Sequence, residues 1–472
     1  MFEPVIAPSG TLLGLLQRGR GDGTLHALAA PRTEALAALA HCVTGDPRRD
    51  WQVENRSLYY ARLYLDLHGG LGEIEAHLFC AADVLEPEES RTGLALAVLG
   101  HLASYGREDA LLLLRRYAAT GTNWAWALDE LALRDDDAGL RALAAPVLGR
   151  FPRTPEGDAE LAATVRDAFE PRPWRLWAED PREEVGARVR AAREQGSFDR
   201  WQRQLRPAGP RPGWSVRAIL DWAQDGLERG TELYAPAARC LTAVATPEDR
   251  PLLVRTARTG PDGARCAALH HLAGSGDPEA LDLIETAAGD PSRTVAEAAV
   301  AAFERMCGEA AIERARRWAH RPGALGASAA RTLACRGTAR DAGLVLGALR
   351  KAVREEGPDA AALYPLVDGA GRLGIACAAP VLRHIYRETA ASQLRGRTAR
   401  ALAATDPSFA SGFAVECLWD CEETTREIAA LHAETGDARV AERLRRLAAD
   451  PAEEDEVQSA VRSRFDPDAA AR

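Results

Sequence analysis

The chain has 472 residues, of which 46% are hydrophobic and 27% charged. That is enough apolar material for two or three packed domains or one long array, and it excludes disorder as the default. The net charge of -10 speaks against a molecule-wide footprint for nucleic acid and leaves room for a local basic surface.

The first stretch, "MFEPVIAPSGTLLGLLQRGRGD", lacks a basic start before an apolar core and so makes a poor secretory signal. No run approaches the roughly 18 apolar residues of a membrane span. Nine scattered cysteines sit mostly in Ala/Leu-rich runs, where cysteine behaves as a small buried hydrophobe. The expectation is a cytoplasmic chain with reduced thiols and no membrane contact. Residues 1–32 read as an N-terminal cap.

Residues 33–170 carry successive amphipathic runs, among them "TEALAALAHCV", "SRTGLALAVLGHLASYG" and "REDALLLLRRYAATG", with a break at Gly106. They predict an N-terminal array of three or four helix pairs. In "ENRSLYYARLYLDL", Asn55, Tyr59, Arg62 and Asp66 fall on one helical stripe at i, i+4, i+7 and i+11. Such a stripe is either a recognition surface or the wet face of a capping helix. "TNWAWALDELA" places Trp124, Trp126, Asp129 and Glu130 on adjoining helical faces.

Residues 171–213 interrupt the pattern with six prolines, ten arginines and Trp174, Trp177 and Trp201. Arginines interleaved with aromatics suit single-stranded nucleic acid or an acidic peptide. The alternative is a segment whose tryptophans dock it onto its own scaffold.

Residues 214–450 repeat. Breaks between helices fall at Thr246, Gly276, Gly308, Gly337, Gly374, Thr405 and Gly436, spaced 30, 32, 29, 37, 31 and 31 residues apart. Glycine tolerates the left-handed conformation that ends a helix, and a neighbouring Asp, Thr or Pro begins the next. The second helix of each pair places apolar residues such as Val440, Leu444 and Leu447 on one face, while alanine dominates the first and lets helix axes approach. The fold expected is all-α, an α-solenoid of stacked helical hairpins, with residues 451–472 as an acidic cap or tail.

The Asp-Pro-x-x-x-Val opening at Asp290 to Val295, the Ala/Leu-rich helices and the period near 31 residues resemble the HEAT-repeat family, in the short bacterial form also seen in bilin-lyase-like repeats. The resemblance implies an armadillo-like superhelix whose second helices line a concave face. Nine residues after each break, counting Gly106, stand Arg115, Arg255, Glu285, Arg317, Leu346, Arg383, Ala414 and Arg445. Five of eight are arginine where composition predicts about one. With the implied geometry they form a guanidinium row suited to carboxylates or phosphates. The alternative is solvent-facing arginines whose heads pair with neighbours such as Glu313 and Glu442.

Catalytic signals are weak. "GAGRLG", with Gly369, Gly371 and Gly374, matches a dinucleotide fingerprint by letter only, since a helical run and not a strand precedes it. Cys266 with His270, and Cys417 with Cys421, are i, i+4 pairs lacking the second pair a zinc site needs. No cofactor or metal is expected. The absence of any His-Glu dipeptide also removes what a likeness to the di-iron HEAT hydroxylases would require.

The function these features favour is a non-catalytic scaffold that binds another protein, an acidic peptide or surface, along its concave face. The alternative is a HEAT-like DNA-binding protein or alkylpurine DNA glycosylase, which the resemblance would equip with Trp124, Trp126, Asp129 and Glu130, and with Trp222 or Trp318 in the same channel. A third is a chaperone-like lyase holding a tetrapyrrole.

Overall fold

In the computed structural model, which describes residues 6–46, 56–85, 89–204 and 213–465, regular structure is helical and no strand occurs among the described residues. Each of the seven breaks falls between two helices or at the end of the first. Gly276 lies between Asp262–Gly274 and Ala280–Ala287, and Gly374 between Leu363–Arg372 and the short turn before Ala379–Glu388. Gly106, Gly276 and Gly374 take positive φ, the conformation that closes a helix at no side-chain cost. At Thr246 and Thr338 the backbone N–H instead donates to an aspartate three residues on, Asp249 at 2.9 Å and Asp341 at 2.8 Å, so that the next helix starts capped.

The chain divides into two units. The unit comprising residues 208–386 and 400–406 is a stack of hairpins in two rows. In the first row Tyr234–Val244, Asp262–Gly274, Arg293–Glu304, Gly323–Arg336 and Leu363–Arg372 each pack on the next. In the second row Arg250–Thr259, Ala280–Ala287, Glu309–Trp318 and Ala342–Glu356 each pack on the first-row helix that follows. Alanine explains the first row, because Ala267, Ala268, Ala298, Ala299, Ala329 and Ala330 are buried where axis meets axis. Larger side chains fill the space between rows, as where Phe303 meets Trp318 edge to face at 4.9 Å.

A second device ties consecutive hairpins together. An arginine of one repeat grips a carboxylate in a turn of the next: Arg250 on Asp277, Arg265 on Asp290, Arg316 on Asp341 and Arg383 on Asp406. Asp277 and Asp290 each also accept a backbone N–H two residues on, from Glu279 and Ser292. One carboxylate thus shapes its own turn and receives the preceding layer.

The other unit comprises residues 1–207, 387–399 and 407–472. Glu89–Ser104 packs on Arg56–Asp66, Glu108–Thr120 and Trp124–Arg134, and Pro155–Asp167 packs on Glu183–Gln204. Glu423–His432, Ala438–Ala449 and Asp455–Phe465 form a further cluster in which Leu444, Val457 and Val461 are buried. Segments distant in sequence meet inside this unit. The N–H of Cys421 donates to the carbonyl of Gly19 at 2.9 Å, and Arg18 donates to the carbonyl of Glu388. Gly19 has φ +67, and a Cβ there would stand 2.4 Å from the Cys421 sulfur, so no other residue fits without displacing that chain.

Candidate functional site

The five arginines of the register row meet different fates. Arg115 is held by Asp135, a buried carboxylate that also takes the N–H of Asp136. Arg383 makes a two-bond fork to Asp406 at 2.6 and 2.7 Å. Arg445 is exposed and pairs with Glu442 three residues earlier at 2.7 Å. Arg255 and Arg317 are exposed, and neither has an ion-pair partner among the described residues. At the third repeat it is the neighbouring Arg316 that grips Asp341, at 2.7 and 3.0 Å. Two of the five, Arg115 and Arg383, are therefore spent on clamps to an acid 20 and 23 residues on, and the other three are not.

The stripe on Arg56–Asp66 faces its own unit. Tyr59 is buried and donates to the carbonyl of Arg20 at 2.8 Å, and burial raises its hydroxyl well above the ordinary tyrosine range. Arg62 joins Asp450 and Glu453, and Tyr105 donates to the same Asp450 at 2.9 Å. Behind them Arg426 is held by Glu453 and by the carbonyls of Asp420 and Cys421, at 2.8 and 2.7 Å. Of the stripe only Asp66 is exposed, while Asn55 lies outside the described residues.

The Trp/Asp helix, Trp124–Arg134, also works largely inward. Trp124 packs edge to face on Phe151 at 5.9 Å, beneath the guanidinium of Arg150. Asp129 accepts the N–H of Glu170 at 3.1 Å, which fixes the entry to the docked segment, and burial still raises its carboxyl to about 6. Glu130 pairs with Arg134 at 2.6 Å and lies over Gly100, where a Cβ would collide with it. Burial outweighs that pairing and a hydrogen bond from Trp126, raising Glu130 to about 7.

Residues 171–204 dock as two helices. Trp174 and Trp177 are buried, stack edge to face at 4.9 Å, and the indole of Trp177 donates to the carbonyl of Leu140 at 2.8 Å. Trp201 falls on Glu183–Gln204, with its side chain outside the described part. The "GAGRLG" glycines lie in Leu363–Arg372 and just beyond it, Gly369 against Ala334 and Gly371 against Ala401. Cys266 and His270 are buried, the thiol raised to about 12 and the imidazole lowered to about 4, both mainly by burial.

A groove of about 580 Å³ lies in the two-row unit along Gly323–Arg336 and Ala342–Glu356. Its floor is Gly326, Gly343, Gly347, Ala330 and Ala348, and its margins carry Arg321, Arg331, Glu355 and Lys351, the one lysine of the chain. Sequence reading missed it because small residues at helical spacing look the same whether a neighbouring helix or nothing covers them. The chain matches no known protein-family model and no curated protein.

Proposed function

We propose that this chain is a non-catalytic, HEAT-type scaffold that binds an acidic segment of another protein along its two-row unit. The groove over Gly343 and Gly347 carries the reading: its glycine and alanine lining lets a foreign backbone approach closely, and Arg321, Arg331 and Lys351 beside it hold the chain's own Glu285, Glu304 and Glu355, pairings that an acidic partner would exchange. Arg255 and Arg317 add exposed guanidinium groups that none of the chain's described carboxylates occupies. The residues of the base-excision alternative have internal employment, Trp124 against Phe151 and Asp129 on the Glu170 N–H, which favours the scaffold.

The lone lysine makes a direct experiment available. An amine-reactive photo-crosslinker attaches at Lys351 and the N-terminal amine only, so a partner captured through Lys351 reports the groove. Capture of a defined protein through Lys351, lost when Gly347→Trp plugs the floor, is the expected result. Equal capture by the plugged protein, or retention of duplex DNA with a steep salt dependence in its place, would overturn the reading.

A further inference from the structure

In the unit comprising residues 1–207, 387–399 and 407–472, four segments, Thr24, Tyr59 with Arg62 and Asp66, Trp419 with Asp420, and Arg443, line a small cavity with about 10 Å³ of free volume. The hydrogen-bond donors around it are not all paired. Arg62 is matched by Asp450 and Glu453, and Asp420 by a two-bond fork from Arg395 and the N–H of Glu422. Tyr59 spends its hydroxyl proton on Arg20. Arg443 is left with one hydrogen bond, from Nε to the carbonyl of Leu418 at 3.0 Å, and with the face of Trp419 at 5.6 Å. No described carboxylate pairs with it. Of the two carboxylates that line the cavity, Asp420 is held by Arg395, and the exposed Asp66 lies 4.0 Å from Arg446. The indole N–H of Trp419 has no described acceptor either.

A guanidinium whose two amino groups have no described protein partner, near a second guanidinium and against an aromatic ring, is a donor surplus on the cavity wall. We propose that Arg443, with the Trp419 indole N–H, forms an oxyanion site that takes one terminal carboxylate or phosphate group. The cavity sets the size, since room for about one water molecule admits an oxygen of such a group and excludes the body of a larger ligand. The electrostatics agree. Burial, then the like charges of Arg62 and Arg426, lower Arg443 to about 9, so that it stays charged at neutral pH and gains from an arriving anion. This site is independent of the groove and of the protein-binding reading.

The test is anion-dependent thermal stabilisation of the full chain at constant ionic strength, with acetate, glutarate, inorganic phosphate and phosphoserine each replacing chloride. The expected result is a saturable rise in midpoint with a carboxylate or a phosphate, lost in Arg443→Met while the helical circular dichroism is retained. Which series saturates at lower concentration identifies the source. Absence of saturation in the wild type overturns the proposal, and so does an equal rise in Arg443→Met. Should Arg443→Met fail to fold, Trp419→Phe serves as the second variant, expected to weaken binding several-fold; an unchanged affinity there overturns the role of the indole N–H.

Discussion

Arg395 donates two hydrogen bonds to Asp420, at 2.8 and 3.0 Å, and neither side chain has any solvent exposure. Asp420 simultaneously takes the N–H of Glu422, and the next residue, Cys421, is bonded to Gly19. This pair is the dry version of the arginine–acid clamp that Arg250 and Asp277 make with Arg250 41% exposed.

Burial decides how the two respond to truncation. Removing one partner of a fully buried pair strands the other charge, so Arg395→Ala or Asp420→Ala should cost about 3–5 kcal/mol. Replacing both, Arg395→Met with Asp420→Leu, should recover most of that loss. Arg250→Ala should cost less, about 1 kcal/mol, because the lost side chain is itself part-exposed, its removal opens Asp277 to water, and Asp277 keeps the N–H of Glu279. Chemical denaturation of the four proteins checks the order; equal losses at Arg250 and Arg395 would refute it.

Gly369 stands where Leu363–Arg372 crosses Gly323–Arg336, and a Cβ there would lie 2.5 Å from the Ala334 Cβ and 2.6 Å from its Cα. The neighbour is backbone and cannot swing aside. Gly369→Ala should therefore lose about 1–3 kcal/mol despite alanine's better helix propensity. Gly347→Ala, which meets nothing within 4 Å, should gain up to about 1 kcal/mol. A pair of thermal melts distinguishes the two.

These two glycines show what the sequence could and could not convey. Break positions were legible because a glycine or a threonine with its aspartate acts within a few residues, and Gly276, Gly374 and Thr246 all end or begin helices as their local chemistry requires. The all-helical stack follows from the same periodicity. The role of Gly369 depends on a residue 35 positions away, and the meeting of Gly19 with Cys421 on one about 400 positions away, so neither leaves a local mark. The arginine row was visible as a bias; which arginine is spent on a clamp and which stays open turns on a one-residue difference, Arg316 against Arg317. The groove and the Arg443 cavity are defined by what does not cover them.

Buried His270 and half-buried Glu130 give pH dependences of opposite sign. His270 packs on Tyr234 at 5.0 Å, and burial, with Arg305 nearby, lowers it from 6.5 to about 4. The unfolded chain binds that proton first, so the contribution is full above pH 6.5 and is lost as pH falls toward 4, worth up to about 3 kcal/mol. His270→Phe should flatten this slope. Glu130 is raised to about 7, so its contribution is full below pH 4.5 and is lost as pH rises through 7. Glu130→Gln should raise stability at pH 8 relative to wild type and leave it nearly unchanged at pH 4.5. Denaturant midpoints at four pH values suffice, and parallel curves for wild type and either variant would contradict the assignment.

The register row supplies the sharpest separation between stability and binding. Arg383 holds Asp406, whose carboxylate is almost wholly shielded from solvent, so Arg383→Glu sets two carboxylates against each other and should destabilise by several kcal/mol. Arg255 and Arg317 touch no described carboxylate, and reversing both should change folding stability by less than about 0.5 kcal/mol. If these two face an acidic partner, the double reversal should weaken association at least tenfold at low salt and less at high salt, mainly through the association rate. Surface plasmon resonance on the partner captured at Lys351 measures this directly. A double variant that folds normally and binds with unchanged rate constants would leave these arginines as solvated surface and remove them from the interface.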